Sequence, residues 1–200
     1  MLSIKKTQLK QAILNKKMFL DLDTMGLQGE LRTQEPMSRH TSWKTGGNAD
    51  YYYIASDIND LAKFISKLPA STPITWIGLG SNLLVRDGGV SGVVVSVAGL
   101  LNELKKINET EIFIGAGVSC AKAAHFSAKH GLEGIEFLAG IPGTIGGALA
   151  MNAGAYGGEI WSYIKEVETI NRKGKREIFE KNKFDINYRS VSIPENEWFI

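Results

Sequence analysis

The sequence is poor in the residues that usually announce chemistry: 200 positions hold one cysteine, Cys120, three histidines and five prolines. A single cysteine excludes an intramolecular disulfide framework and any multi-cysteine metal site. It suits a reducing, cytoplasmic setting. Charge of one sign is also missing, since 23 Lys plus Arg face 21 Asp plus Glu for a formal net charge of +2. Nothing in that balance predicts a nucleic-acid or anionic-membrane surface. Long hydrophobic runs are absent too. Near the start, Lys16 and Lys17 interrupt the apolar run Ala12-Ile13-Leu14, so no signal-peptide core is present there. The uncharged stretch from Phe137 to Gly158 is crowded with glycine beside Pro142 and offers few large side chains to lipid. It reads as a buried or ligand-covered loop region. With 44% apolar and 22% charged residues the chain is globular, not disordered, and large enough for one domain or two small lobes.

What is abundant is glycine, 22 residues or 11% of the chain, against a typical ~7%. Between the glycines the pattern is α+β. Residues 1–40 read as a helical extension, with one or two helices before Pro36. Tyr51-Tyr52-Tyr53-Ile54 has strand composition, and Asp57 then caps a helix whose apolar positions are Ile58, Leu61, Ala62, Ile65 and Leu68. Ile74 to Ile77 and Gly92 to Val97 are further strands, which makes 41–98 a βαβ-like first lobe. A second α+β lobe spans 99–200. It holds a strand at Ile112 to Ile114, a helix capped by Ser119 and ending near Gly131, and a hairpin around Lys173-Gly174. The apolar ending Trp198-Phe199-Ile200 is read either as a chain cut in mid-domain or as a short docked strand.

Four glycine clusters are the candidates for chemistry: Gly78-Leu79-Gly80-Ser81-Asn82, Gly115-Ala116-Gly117, Pro142-Gly143-Thr144-Ile145-Gly146-Gly147, and Asn152-Ala153-Gly154-Ala155-Tyr156-Gly157-Gly158. Each alone is most simply a turn. Together they suit backbone amides that approach a large anionic ligand such as a pyrophosphate, where side chains would intrude. A Rossmann turn fails on spacing, because Leu83 and Cys120 stand where third glycines belong, and no cluster supplies a P-loop Gly-Lys-Ser/Thr. Cys120, His125 and His130 are spaced by five, which turns each about 140° from the last on a helix, so they share no metal-binding face. No metal site and no nucleophile elbow is expected. Tyr188-Arg189-Ser190 offers a guanidinium that could hold a carboxylate, with a plain surface arginine as the bland alternative.

Order and spacing then carry a resemblance. Thr45-Gly46-Gly47, Gly78 to Val85, Asp87-Gly88-Gly89, Gly115-Ala116-Gly117, Gly134 to Ala148, Met151 to Gly158 and Tyr188-Arg189-Ser190 together resemble the family of UDP-N-acetylenolpyruvoylglucosamine reductases, bacterial flavoenzymes of peptidoglycan precursor synthesis. The resemblance covers the chain from about Thr41 onward. It implies the two-lobed FAD-binding fold of the vanillyl-alcohol-oxidase (PCMH) type, which is not a Rossmann fold. It also implies an FAD held by Gly78, Leu79, Gly80, Ser81, Asn82, Leu83, Gly115, Gly117, Ile141, Pro142, Gly143, Thr144, Gly146, Gly147, Asn152, Ala153 and Gly154. NADPH is the implied hydride donor and UDP-N-acetylglucosamine enolpyruvate the implied substrate. Arg189 matches the family's active-site arginine, and Tyr188 would line the same pocket.

The family continues into a substrate-binding domain carrying a proton-donating serine in an Ala-Gly-Ser/Cys-x-Phe-Lys-Asn-Pro-like motif and a late glutamate. Neither motif occurs in these 200 residues. The expectation is an FAD-binding portion that does not turn over alone. Two alternatives remain at this point: another flavin oxidase or dehydrogenase of the same fold, and a noncatalytic flavin-binding module. Oligomeric state is left open.

Overall fold

A computed structural model describes residues 26–194 and 197–200. Its first lobe is a four-stranded sheet in the order β1-β2-β4-β3, built from β1 (Glu30–Pro36), β2 (Asn48–Ile54), β3 (Ile74–Ile77) and β4 (Val90–Ser96). Strands β2 and β3 both run parallel to β4, while β1 adds antiparallel to β2. The crossover from β2 to β3 is helix α1 (Ile58–Lys67). Asp57 starts it by accepting the amides of Asn59 and Asp60, each at 2.8 Å. Leu61, Phe64 and Ile65 then meet Val93 and Val95 of β4, whereas Val94, pointing the other way, meets Met37, Tyr52 and Val85. Both faces of β4 are thus buried, as a parallel central strand requires.

The helices expected before Pro36 fall partly on residues 1–25, outside the described residues. Within the description the expectation is corrected, because Glu30–Pro36 is a strand. Its polar sequence carries little strand signal of its own; pairing with the buried β2 recruits it.

The second lobe begins with β5 (Leu104–Lys106) paired to β6 (Ile112–Ile114), then α2 (Cys120–Lys129), capped by Ser119. Helix α3 (Ile145–Ala150) follows, then a tight hairpin of β7 (Gly154–Ala155) and β8 (Gly158–Glu159). A three-stranded sheet orders β10 (Arg176–Glu180), β9 (Glu166–Asn171) and β13 (Glu197–Phe199), and β11 (Asp185–Asn187) pairs with β12 (Ser190–Ser192). Leu138, Ile145, Leu149, Trp161, Val167, Phe184 and Phe199 form this lobe's core. Arg172, in the β9–β10 turn, ties the lobes together by donating to Thr72 O at 2.6 Å while lying over the Trp198 ring. No helix among the described residues is long and apolar enough to cross a membrane.

Candidate functional site

The turn that leaves β3 and the turn that enters α3 lie against each other. Ser81 Oγ donates to the Pro142 carbonyl at 2.8 Å. A Cβ placed on Gly78 would stand 2.5 Å from Thr144 Oγ1, so a side chain there has no room. Gly80 has φ +65°, and its carbonyl accepts the Ser42 amide at 3.0 Å. On the other side, Cys120 N–H donates to Gly143 O at 3.0 Å and Ile145 N–H to Val118 O at 2.9 Å, which pins the 142–144 turn to the start of α2. Gly146 packs on Ala116, while Gly147 keeps open space apart from Thr144.

Two consequences follow. First, the glycines are there for protein-to-protein contact more than the cluster pattern suggested: Gly78 meets Thr144, Gly80 meets His40, Gly115 and Gly117 meet Leu101, and Gly154 meets Glu159. Second, the backbone amides of Gly80, Ser81, Asn82, Gly143 and Thr144 donate to no group among the described residues. They are concentrated at the junction made by the Ser81 bond, so five donors from two turns have no internal acceptor. A group with several anionic oxygens matches such a set of donors.

The remaining residues are brought near one another around Asn152. Ala153 is buried and exchanges backbone bonds with Ala148 and Ile160. Asn152 is 2% exposed and its Oδ1 has no partner among the described residues. An orphaned buried acceptor of this kind costs about 1–3 kcal/mol, and a ligand N–H would satisfy it. Asn152 Nδ2 reaches the Asn187 carbonyl at 3.2 Å, which places Tyr188 and Arg189 beside it at the tip of the β11–β12 hairpin. Tyr188 is 82% exposed, and the Arg189 guanidinium lies 5.8 Å from its ring centre.

Two hollows lie elsewhere. One, of about 460 Å³, runs beside Asp57, Gly99, Asn102 and Gly115, and the other, of about 380 Å³, opens onto Leu138 and Ile145. Gly115 is the one proposed FAD contact that lines the former. Leu79 and Leu83 flank the Gly80 turn, Leu79 half-exposed, and Ile141 precedes the Pro142 turn. No group of three or more potential metal ligands occurs among the described residues. Cys120 is fully buried, which pushes its thiol up to about 11.

The motif scan missed the Asn152–Asn187 bond, which joins positions 35 apart. It also missed Glu159, which accepts from Asn152 Nδ2 at 2.9 Å. The signal in the sequence is an asparagine within a glycine-rich stretch, a residue type that tolerates the positive φ Asn152 adopts.

Comparisons with known proteins identify the family. A family model described as an FAD binding domain matches residues 49–179. The chain belongs to that family, a class of two-lobed α+β proteins. More particularly, it is 48% identical over 179 residues to UDP-N-acetylenolpyruvoylglucosamine reductase of Nitrosococcus oceani, covering 90% of this chain and 60% of that protein. The reductase of the same name from Nitrosomonas eutropha is 49% identical over 180 residues, covering 88% and 54%. Among solved structures, UDP-N-acetylenolpyruvylglucosamine reductase from Thermus caldophilus superposes with a TM-score of 0.70 at 27% identity, covering 86% of this chain and 60% of that one. An oxidase, 6-hydroxy-D-nicotine oxidase from Arthrobacter nicotinovorans, shares the fold with a TM-score of 0.57 at 17% identity, covering 80% and 37%. The chain spans 54% to 60% of the length of these curated relatives.

Proposed function

We propose that this chain is the FAD-binding portion of an NADPH-dependent reductase that converts UDP-N-acetylglucosamine enolpyruvate to UDP-N-acetylmuramate for peptidoglycan. The observation that carries this reading is the set of five unpaired amides, Gly80, Ser81, Asn82, Gly143 and Thr144, gathered where the Ser81 hydroxyl meets Pro142. Such donors offset the charge of a pyrophosphate without cations. The residues present therefore fit FAD.

Gly78, Leu79 and Leu83 shape the first turn, and Ile141, Pro142, Gly146 and Gly147 the second. Gly115 and Gly117 hold the adjoining 115–118 turn by donating to the carbonyls of Glu103 and Leu101. Asn152, with Ala153 and Gly154 behind it, offers its buried Oδ1 to a ligand N–H. Bound FAD would relay a hydride from NADPH to the enolpyruvyl carbon beta to the carboxylate. Arg189 then pairs with that carboxylate and stabilises the negative charge that hydride addition places there, with Tyr188 lining the same face. A free cysteine kept buried, and a nicotinamide as reductant, support a cytoplasmic setting.

The purified chain, mixed with FAD and desalted, should retain a flavin absorption band. Complete loss of the band on desalting would remove the cofactor site from this chain and with it the reading.

A further inference from the structure

Three residues in backbone conformations that side chains disfavour lie in or just before two hairpins. Asn152 (φ +40°), Tyr156 (φ +53°) and Arg189 (φ +54°) are three of the five non-glycine residues with positive φ among the described residues. Each such residue costs energy that persists only where the surroundings impose it, and such positions gather at functional sites. Tyr156 and Gly157 form the two-residue loop of the β7–β8 hairpin, and Tyr188 and Arg189 that of the β11–β12 hairpin.

One side chain joins the two hairpins. Asn152 Nδ2 donates to Glu159 Oε2 at 2.9 Å and to the Asn187 carbonyl at 3.2 Å. Both partners are acceptors. The amide can therefore satisfy them only with its NH₂ turned toward both, which leaves Oδ1 unpartnered as observed. Glu159 is thus the shorter of the two anchors of the Asn152 amide: without that carboxylate only the longer bond to the Asn187 carbonyl holds the NH₂, and the link between the two hairpins is lost. Asn187 is the last strand residue before Tyr188-Arg189, and the β11–β12 ladder has only three residue pairs, too few to hold its own tip.

We propose that Glu159, acting through Asn152, is a positioning residue that sets the orientation of the Arg189 turn. The proposal rests on the reading of Arg189 as the carboxylate-binding residue and deepens it: Glu159 touches no substrate, but it fixes the direction from which the guanidinium is offered.

Trypsin provides a direct readout, because Arg189 is itself a cleavage site at an exposed tip. In the FAD-loaded chain, Glu159→Ala should raise the rate of cleavage after Arg189 about tenfold, with cleavage after Arg86, in the exposed β3–β4 loop of the first lobe, unchanged. Glu159→Gln keeps an acceptor oxygen and should restore the slow rate. An unchanged Arg189 rate in Glu159→Ala, or equal acceleration at Arg86 that marks general loosening, overturns the proposal. The readout does not depend on what Arg189 binds, so a failure of the carboxylate-binding reading leaves the proteolysis result, and with it the positioning, standing.

Discussion

Ser81 and Pro142, 61 positions apart, are joined by a 2.8 Å bond from hydroxyl to carbonyl, and that single contact brings the two donor-bearing turns to a common edge. The hydroxyl's hydrogen is used internally, so Ser81 serves the site by placing its own amide and that of Gly143 together. Ser81→Ala should raise the dissociation constant for FAD about five- to tenfold, the worth of one neutral hydrogen bond of about 1 kcal/mol. Titration of flavin fluorescence measures it. An unchanged constant would show that the turns keep their places without the bond.

Gly78 is the tightest test of the junction. An added methyl would meet Thr144 Oγ1 at 2.5 Å and Cγ2 at 2.9 Å, and Thr144 is buried with no room to retreat. Gly78→Ala should cost about 1–3 kcal/mol of stability, as overpacking does, and weaken FAD binding together with it. Gly88→Ala is the control, since nothing lies within 4 Å of the new methyl and its φ is not in the left-handed range. Thermal unfolding of both variants should show a lowered midpoint for the first and none for the second.

These contacts show where sequence reading reached and where it stopped. Helix α1 was legible because a capping Asp57 and the spacing of Ile58, Leu61, Ala62, Ile65 and Leu68 are local facts. Strand β1 was not, because Glu30-Leu31-Arg32-Thr33-Gln34-Glu35 becomes a strand only through β2. The glycine clusters were legible as turns, yet the physical reason for several glycines lies in protein contacts from distant positions, such as Gly78 on Thr144 and Gly80 on His40. The link from Glu159 through Asn152 to Asn187 involves no motif at all. Its partners come together only after both hairpins have folded.

Cys120 opens helix α2, a position where partial positive charge could activate a thiol, yet it is fully buried and burial prevails. With its thiol pushed up to about 11, little thiolate exists at neutral pH. Native protein should therefore leave a disulfide reagent such as dithionitrobenzoate unreacted at pH 8 for as long as it stays folded. In denaturant one thiol per chain should react. Fast stoichiometric reaction of the native protein would contradict the packing of Cys120 against the second-lobe core.

Glu35 carries the pH dependence of the first lobe. It is 7% exposed, its Oε1 lies 2.8 Å from His40 Nε2, and Arg32 approaches the same oxygen at 3.4 Å. The His40 hydrogen bond, opposed by burial and helped by the Arg32 charge, holds the carboxyl below the usual carboxylate range. A carboxyl depressed in the folded state stabilises the fold above its unfolded value and loses that contribution as pH falls through its folded value. Stability should therefore be full at neutral pH and decline on acidification below about pH 4.5, the ordinary glutamate range. Because the His40 carbonyl backs Gly80, FAD should be released along the same acid limb. Glu35→Gln should lower stability at pH 7 by about 1.5–3 kcal/mol, the value of hydrogen bonds to a charged group, and flatten the acid limb. Urea unfolding at pH 4 and pH 7 for both proteins checks this. Equal pH dependence in wild type and Glu35→Gln would assign the acid limb to other carboxylates and leave His40 as a packing residue against Tyr52, on which its ring stacks at 4.2 Å.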